Sequence, residues 1–304
     1  MTWDNYPRDL IGYGPTPPDP HWPEEARIAV QFVVNYEEGA ERSVLHGDPH
    51  AEIFLSEIIG ASPYEARHMS MESLYEYGSR SGFWRLHRLF HEYDVPVTVF
   101  GVTMAMERHP DAVRAMLEAE WEIASHGYRW IDHQFMPEDE ERQQIERAVK
   151  RHTEITGNPP LGWYTGRDSP NTRKLVVAQG GFLYDADSYA DELPYWHPAH
   201  PGHLVVPYTL DANDMRFATP QGFHTADQFF TYLRDTFDYL YAEGAHAPKM
   251  MSVGLHCRLA GKPGRAIAVR QFLDHICAHE GVWICRRADI AQHWHDHFPD
   301  PRTV

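Results

Sequence analysis

From Arg27 to Gly39 the chain reads "RIAVQFVVNYEEG", a strand-like apolar run delivered straight into two adjacent carboxylates, Glu37 and Glu38. The same kind of run recurs at 96–102, 121–126, 161–165, 182–186, 203–210, 250–256 and 281–286. Helix-period segments lie between them. In "SGFWRLHRLFHEYD" the residues Phe83, Leu86, Phe90 and Tyr93 return at three- and four-residue steps, which gives one buried face. Pro110 and Asp111 are good first-turn residues for "PDAVRAMLEAE". "PEDEERQQIERAVKRHTEITG" starts acidic, turns basic and stops at Gly157, matching the helix dipole. A fourth helix is expected from Phe229, Leu233, Phe237 and Leu240. Strand–helix alternation over most of a chain implies a largely parallel sheet. About seven or eight such units predict an α/β fold, an irregular (β/α) barrel.

The bulk numbers fit one domain. A chain of 304 residues, 42% hydrophobic and 23% charged, carries enough apolar material for a single large core. Residues 1–26, rich in Pro and Gly, are expected to form an extended surface arm. Residues 43–79 are too long for a tight strand–helix loop and are read as an insertion, with a helix around Ala51 to Ile59. Long loops of that kind often cover an active site. The formal net charge of −17 argues against nucleic-acid or anionic-membrane partners. No apolar stretch follows a basic start as in a secretory signal, and none is long enough to span a bilayer, so a soluble cytoplasmic protein is expected. Cys257, Cys277 and Cys285 are odd in number and lack zinc-ribbon spacing; buried free thiols are the plain reading.

Polar residues collect at the C-terminal ends of the runs: "NYEEG", "SHGYRW", "TGRDSPN", "YDADSYADELPYW" and "LHCRLAGKPG". In a parallel barrel those ends meet on one face, where the site of such a fold lies. Each residue also has a plain alternative. Glu37 and Glu38 could be a solvated turn, His126 and His256 structural histidines, Arg167 an ion-pair partner of Asp168, and Trp130 a packing residue. His293, His295 and His297 resemble a metal tract, but steps of two on a helix point away from one another, so a solvated helix end is expected there.

In this order the five stretches resemble the polysaccharide deacetylase superfamily, also called the NodB-homology or carbohydrate esterase family 4 group. Its pattern runs T-F-D-D-G, then H-S/T-x-x-H, an Arg–Pro loop, a region with Asp and Trp, and a closing L-x-H. Asn35-Tyr36-Glu37-Glu38-Gly39 stands at the first motif, with both aspartates lengthened. His126 to Trp130 stands at the second, with Trp130 in place of the distal histidine. Arg167 and Pro170 match the third, Asp185 to Trp196 loosely the fourth, and Leu255 with His256 the fifth. In that family one Asp and two His hold a divalent ion that polarises the carbonyl and activates water. Here only Glu38 and His126 would remain, and catalytic zinc uses three protein ligands, so no tight metal is expected. His133 lies seven residues from His126 rather than four.

Within the superfamily, "YPRDLIGYG", "YEEGAE", "ASHGYRWIDHQ", "GWYTGRDSPNT" and "DSYADELPYW" look like the branch of metal-independent bacterial allantoinases. That resemblance implies hydrolysis of the hydantoin ring of allantoin to allantoate, without a cofactor, in a cytoplasmic homotetramer. The ring nitrogen leaves as a ureido group, a better leaving group than a sugar amine, which makes loss of a Lewis acid tolerable. Glu37 would be general base, His256 would donate to the leaving nitrogen, and Arg167 would polarise a carbonyl or orient Glu37. Glu38 and His126 would pair to position substrate or water, and the Trp130 indole would wall the ring. Tyr128, Asp187 and Asp191 are weaker candidates for contacting the ureido tail. The rival readings are a hydrolase of another cyclic amide or an N-acetyl sugar, and an inactive barrel acting as a binding module.

Overall fold

The computed structural model describes residues 7–303, so residues 1–6 of the expected arm lie outside the described residues. The strands are β1 (Ile28–Tyr36), β2 (Thr98–Gly101), β3 (Glu122–Ser125), β4 (Gly162–Trp163), β5 (Tyr184–Asp185), β6 (Tyr195–Trp196), β7 (Leu204–Val205), β8 (Lys249–His256) and β9 (Val282–Ile284). The α-helices are α1 (Met69–Tyr77), α2 (Phe83–Tyr93), α3 (Thr103–Arg108), α4 (Pro110–Glu118), α5 (Glu138–Thr156), α6 (Thr172–Gln179), α7 (Ala226–Glu243), α8 (Pro263–Cys277) and α9 (Arg287–His297).

β1 organises the sheet. One edge pairs in parallel with β8 from Ile28 to Asn35. Its other edge is shared, with β9 taking Ile28 to Val30 and β2 taking Val33 to Tyr36. From β2 the order continues through β3, β4, β5 and β7, all parallel, and ends on β6, which alone runs antiparallel. The sheet curls into the expected irregular (β/α) barrel.

Period-two alternation sorts β1 cleanly. Ile28, Val30, Phe32, Val34 and Tyr36 face outward into a core shared with Phe83, Leu86 and Phe90 of α2, Phe237 of α7 and Phe272 of α8. Ala29 and Val33 face the barrel interior, where Phe100, Ala124, Tyr164 and Tyr208 fill the space. Gln31 and Asn35 share that inner register and are buried polar groups. Such groups need partners. The fully buried Arg287 supplies one, donating to Gln31 Oε1 (2.7 Å), Ser252 Oγ (2.8 Å) and the Pro207 carbonyl (2.9 Å). Glu122 accepts from Thr98, Tyr184 and the Ala288 amide. These polar bonds fill the barrel beneath the site.

Three local expectations are corrected. No helix forms over Ala51 to Ile59: Glu52 Oε1 accepts the amides of Ile53 and Phe54, and Leu55 adopts φ 58°. Side chains that capture nearby amides compete with helix. The insertion's helix is α1 instead, joined to α2 by a π-turn at Gly78–Gly82. A Cβ at Gly82 would stand 1.9 Å from the Cys257 carbonyl, so only glycine permits that approach. Cys277 is exposed, unlike the buried Cys257 and Cys285. On α9 the three histidines bond three different carbonyls, those of Pro20, Leu183 and His293, and His293 is buried rather than solvated. Within the arm, Trp22 is buried against Trp283 and Trp294, and its indole donates to the Lys249 carbonyl (3.1 Å). Among the described residues no helix is long and apolar enough to cross a membrane.

Candidate active site

Parity carries through the strand ends. Glu37 continues the inner register of β1, His126 that of β3 and His256 that of β8, so all three converge at the C-terminal mouth of the barrel. Glu37 Oε1 lies 3.3 Å from His126 Nε2 and 3.5 Å from His256 Nε2, and all three side chains are buried. The far nitrogens are fixed as well. His126 Nδ1 donates to the Tyr164 carbonyl at 3.1 Å, since a carbonyl can only accept, and its Nε2 faces Glu37. His256 Nδ1 lies 2.7 Å from Asp214 Oδ1, while Asp214 Oδ2 accepts the amides of His256 and Ala260, both at 2.8 Å.

Behind Glu37 stands a guanidinium that reading the sequence did not single out. Arg258 is wholly buried, with one nitrogen 2.7 Å from Glu37 Oε2 and another 3.4 Å from Glu38 Oε1. Its Nε donates to the Leu55 carbonyl (2.9 Å). Its planar face lies 4.2 Å from the Tyr75 ring centroid and 5.1 Å from that of Trp130. Two neighbouring buried carboxylates are thereby balanced by one internal cation, as buried charges require.

Glu38, one residue on, takes the outer register. A Cβ at Gly78 would lie 2.3 Å from its carboxylate, so the glycine of the π-turn makes room for it. The expected Glu38–His126 pair is therefore not formed, and His126 meets Glu37 instead. Burial pushes the Glu38 carboxyl above its ordinary range against the pull of Arg258, with repulsion from Glu37 adding to the rise. Burial acts the same way on Glu37 but loses to Arg258, His256 and the bond from His126, so Glu37 is held well below the carboxylate range. For His256, burial lowers the value, yet Glu37 and Asp214 outweigh it and lift it to about 9. At neutral pH the mouth holds an ionised carboxylate beside an imidazolium.

The outer wall is aromatic and cationic. Trp130 stacks near Phe54 from the insertion, with ring centroids 6.2 Å apart and planes at 18°. The Arg167 guanidinium lies 3.8 Å over the Trp130 ring and pairs with Glu52 at 3.6 Å. Such stacking desolvates a guanidinium while leaving its edge free to donate. Arg167 does not reach Glu37; Arg258 holds that place. Glu37, His126, His256, Trp130 and Arg167 all line one cleft of about 60 Å³. A larger cavity, about 840 Å³, runs along the outward face of α7 past Asp235 and Tyr239 and contains none of them.

Four other residues singled out from the sequence lie elsewhere. Tyr128 turns outward after Gly127, which has φ 74°, and its hydroxyl accepts from Arg147 (2.6 Å). Asp187 accepts the amides of Thr165 and Gly166, supporting the Arg167 loop from beneath; burial, Asp185 and Asp168 push it up to about 7. Asp191 caps its own loop through the amides of Glu192 and Leu193. His133 bonds Glu141 (3.2 Å), which also accepts from Ser169 of the Arg167 loop and from Thr172 at the start of α6. Asp214, like Arg258, was missed: it comes from a 3₁₀ segment, Asp214–Ala218, with no sequence pattern that marks it.

A divalent ion, which the deacetylase pattern implies, does not fit these donors. An indole occupies the third ligand position, Glu38 turns to the outer register, and Glu37 is already bound to Arg258. A dication there would face a buried guanidinium at close range, where repulsion is weakly screened.

The polysaccharide deacetylase family model matches residues 65–180. A Schizosaccharomyces pombe protein named "Putative polysaccharide deacetylase" is 45% identical, covering 94% of this chain and 96% of its own. A crystal structure described as Puue Allantoinase is 60% identical with a TM-score of 0.96, covering 97% of this chain and 99% of that one. The same identity, coverage and TM-score hold for a structure described as a probable polysaccharide deacetylase from Pseudomonas aeruginosa PAO1. This chain belongs to the polysaccharide deacetylase family, and it is a hydrolase of that family's type.

Proposed function

We propose that this family member is a metal-independent allantoinase, opening the hydantoin ring of allantoin to give allantoate. The observation that carries the reading is Trp130. An indole topped by the Arg167 guanidinium stands where the deacetylase pattern has a metal-binding histidine, and offers a flat ureide an apolar face and cationic donors. The likeness to the structure described as Puue Allantoinase supports the same substrate.

In this reading a water sits against Glu37 Oε1 and attacks the ring carbonyl. Glu37, held low, is a weak acceptor on its own, because an efficient general base has its pKa near the working pH. His126 Nε2, 3.3 Å from the same oxygen, holds the carboxylate toward that water as it takes the proton. Arg167 donates to the carbonyl oxygen as negative charge develops there. His256, protonated up to about pH 9, delivers its Nε2 proton to the departing nitrogen while Asp214 fixes the ring. Cleavage of the C–N bond then leaves a carboxylate and a free ureido group.

Incubating purified protein with allantoin in chelator-treated buffer, with allantoate as the readout, tests the reading. Acetate release from N-acetylglucosamine oligomers with no allantoate would favour a sugar deacetylase, the reading suggested by the yeast relative's name. No turnover of either would favour a binding module. The homotetramer implied by the resemblance is checked by light scattering on the same sample.

A further inference from the structure

At the end of the barrel opposite the cleft, α7 and α8 bring together a second group of metal-ligating side chains. Asp238 lies in the last turns of α7, His275 in the last turn of α8, and His279 just beyond it. Two residues after His279, the Gly281 carbonyl accepts the Arg27 amide at the entrance of β1, which fixes the group at the floor end. One donor atom from each of the three residues lies within 4.8 Å of the others. We infer that Asp238, His275 and His279 form a surface site for one transition-metal dication of the zinc class.

Three features of the group argue for it. The first is the donor set: two imidazoles and one carboxylate form the three-ligand combination that suits zinc, with water completing a tetrahedron. Four-residue spacing puts both imidazoles on one side of the helical turn, ring centroids 4.8 Å apart. The second is the tautomer of His279. Its Nδ1 donates to the His275 carbonyl (2.8 Å), leaving the Nε2 lone pair free. Metal-bound histidines characteristically fix their other nitrogen in that way. The third is rigidity. Phe237 and Tyr241 each hold the His279 ring edge-on at 5.2 Å, and Phe237 also holds His275 at 5.6 Å. Rings packed like these lose little freedom when they bind an ion.

His275 Nε2 already lies 2.7 Å from Asp238 Oδ1, so an ion must part them slightly. Both side chains can move: Asp238 is 48% exposed and His275 23%. Among the described residues, no guanidinium or ammonium hydrogen-bonds or pairs with any of the three. The dication would staple the C-terminal ends of α7 and α8, coordinated by one carboxylate oxygen, two ring nitrogens and water.

The test uses untagged full-length protein stripped with chelator. Zinc chloride is titrated calorimetrically, and cobalt(II) is followed by its visible absorption. One ion per chain is expected, with the intense cobalt bands of a four-coordinate site. His275→Gln with His279→Gln should abolish the binding, and Asp238→Asn should weaken it; circular dichroism checks that each variant is folded. His126→Gln, in the cleft, should leave it unchanged. Failure to saturate at one equivalent would overturn the inference, as would a stoichiometric ion that survives the double substitution.

Discussion

Two groups of imidazoles and carboxylates stand at opposite ends of this barrel. At the mouth, His126 and His256 approach the Glu37 carboxylate within 3.3 and 3.5 Å, deeply buried. At the floor end, His275 and His279 approach Asp238 at the surface. The ingredients match and the company differs. Arg258 occupies one oxygen of Glu37 and reaches Glu38, whereas Asp238 binds only an imidazole. Ligand types alone therefore do not make a metal centre. In the proposed reading a fixed internal cation turns the mouth group into acid–base machinery, and the absence of such a cation, among the described residues, from the contacts of the floor group leaves that group suited to a dication.

The strongest way to break this contrast is Glu37→Gln. It should lower kcat/KM on allantoin by about 10²–10⁴-fold, the usual worth of general-base catalysis. Zinc binding at the floor end should be untouched. Retention of most of the hydrolytic rate would remove Glu37 from the base position.

Arg258→Met attacks the other side of the comparison. It strands two buried carboxylates, and removing one partner of a buried pair costs about 3–5 kcal/mol. Urea denaturation should show a loss of that size near pH 7. The loss should shrink on acidification, because protonated carboxylates no longer need the cation. A change under about 1 kcal/mol would mean that water reaches the pair.

Asp214→Asn should act mainly on pH dependence. The wild-type kcat/KM should fall as pH rises through about 9, where His256 loses its proton. The folded-state pKa of His256 is raised above its ordinary 6.5, so its contribution to stability is complete below 6.5 and is lost as pH climbs to about 9. Without the Asp214 charge the alkaline limb of kcat/KM and the upper end of the stability window should both move to lower pH. An unmoved alkaline limb would assign it to another group.

The parity of strands made half of the mouth legible. Glu37, His126 and His256 follow directly from strands whose alternation could be read, and Arg167 from the loop after a fourth. Where the chain leaves the strand, parity ends. Gly127, at φ 74°, sends Tyr128 away from the cleft into the core beneath α5, and Asp187 turns back to the amides of the Arg167 loop. Arg258 stands in "LHCRLAGKPG", two residues past His256, beyond the end of the strand. Its burial depends on Tyr75 and Leu55, delivered from an insertion about 200 residues earlier, and no local pattern announces that contact. Asp214 is hidden for the same reason. The insertion's apolar residues at 51–59 suggested a helix because hydrophobic spacing is silent about Glu52, whose carboxylate takes the amides a helix would need.

The smallest expected effect sharpens the comparison most. Restoring the missing histidine by Trp130→His gives the mouth the three-residue pattern of a metal-binding deacetylase, yet stoichiometric zinc should still be absent from it. Glu38 would remain in the outer register, and Arg258 would still neutralise Glu37, so an incoming dication meets a buried like charge instead of a free carboxylate. With His275→Gln and His279→Gln as background, any bound ion must sit at the mouth, which makes the null result readable. Adding Arg258→Met to that background should then admit an ion, because the carboxylates lose their internal counter-charge and the new imidazole joins His126. Tight zinc binding by Trp130→His in that background, with Arg258 intact, would show that the indole, and not the guanidinium, is what would exclude metal from the mouth.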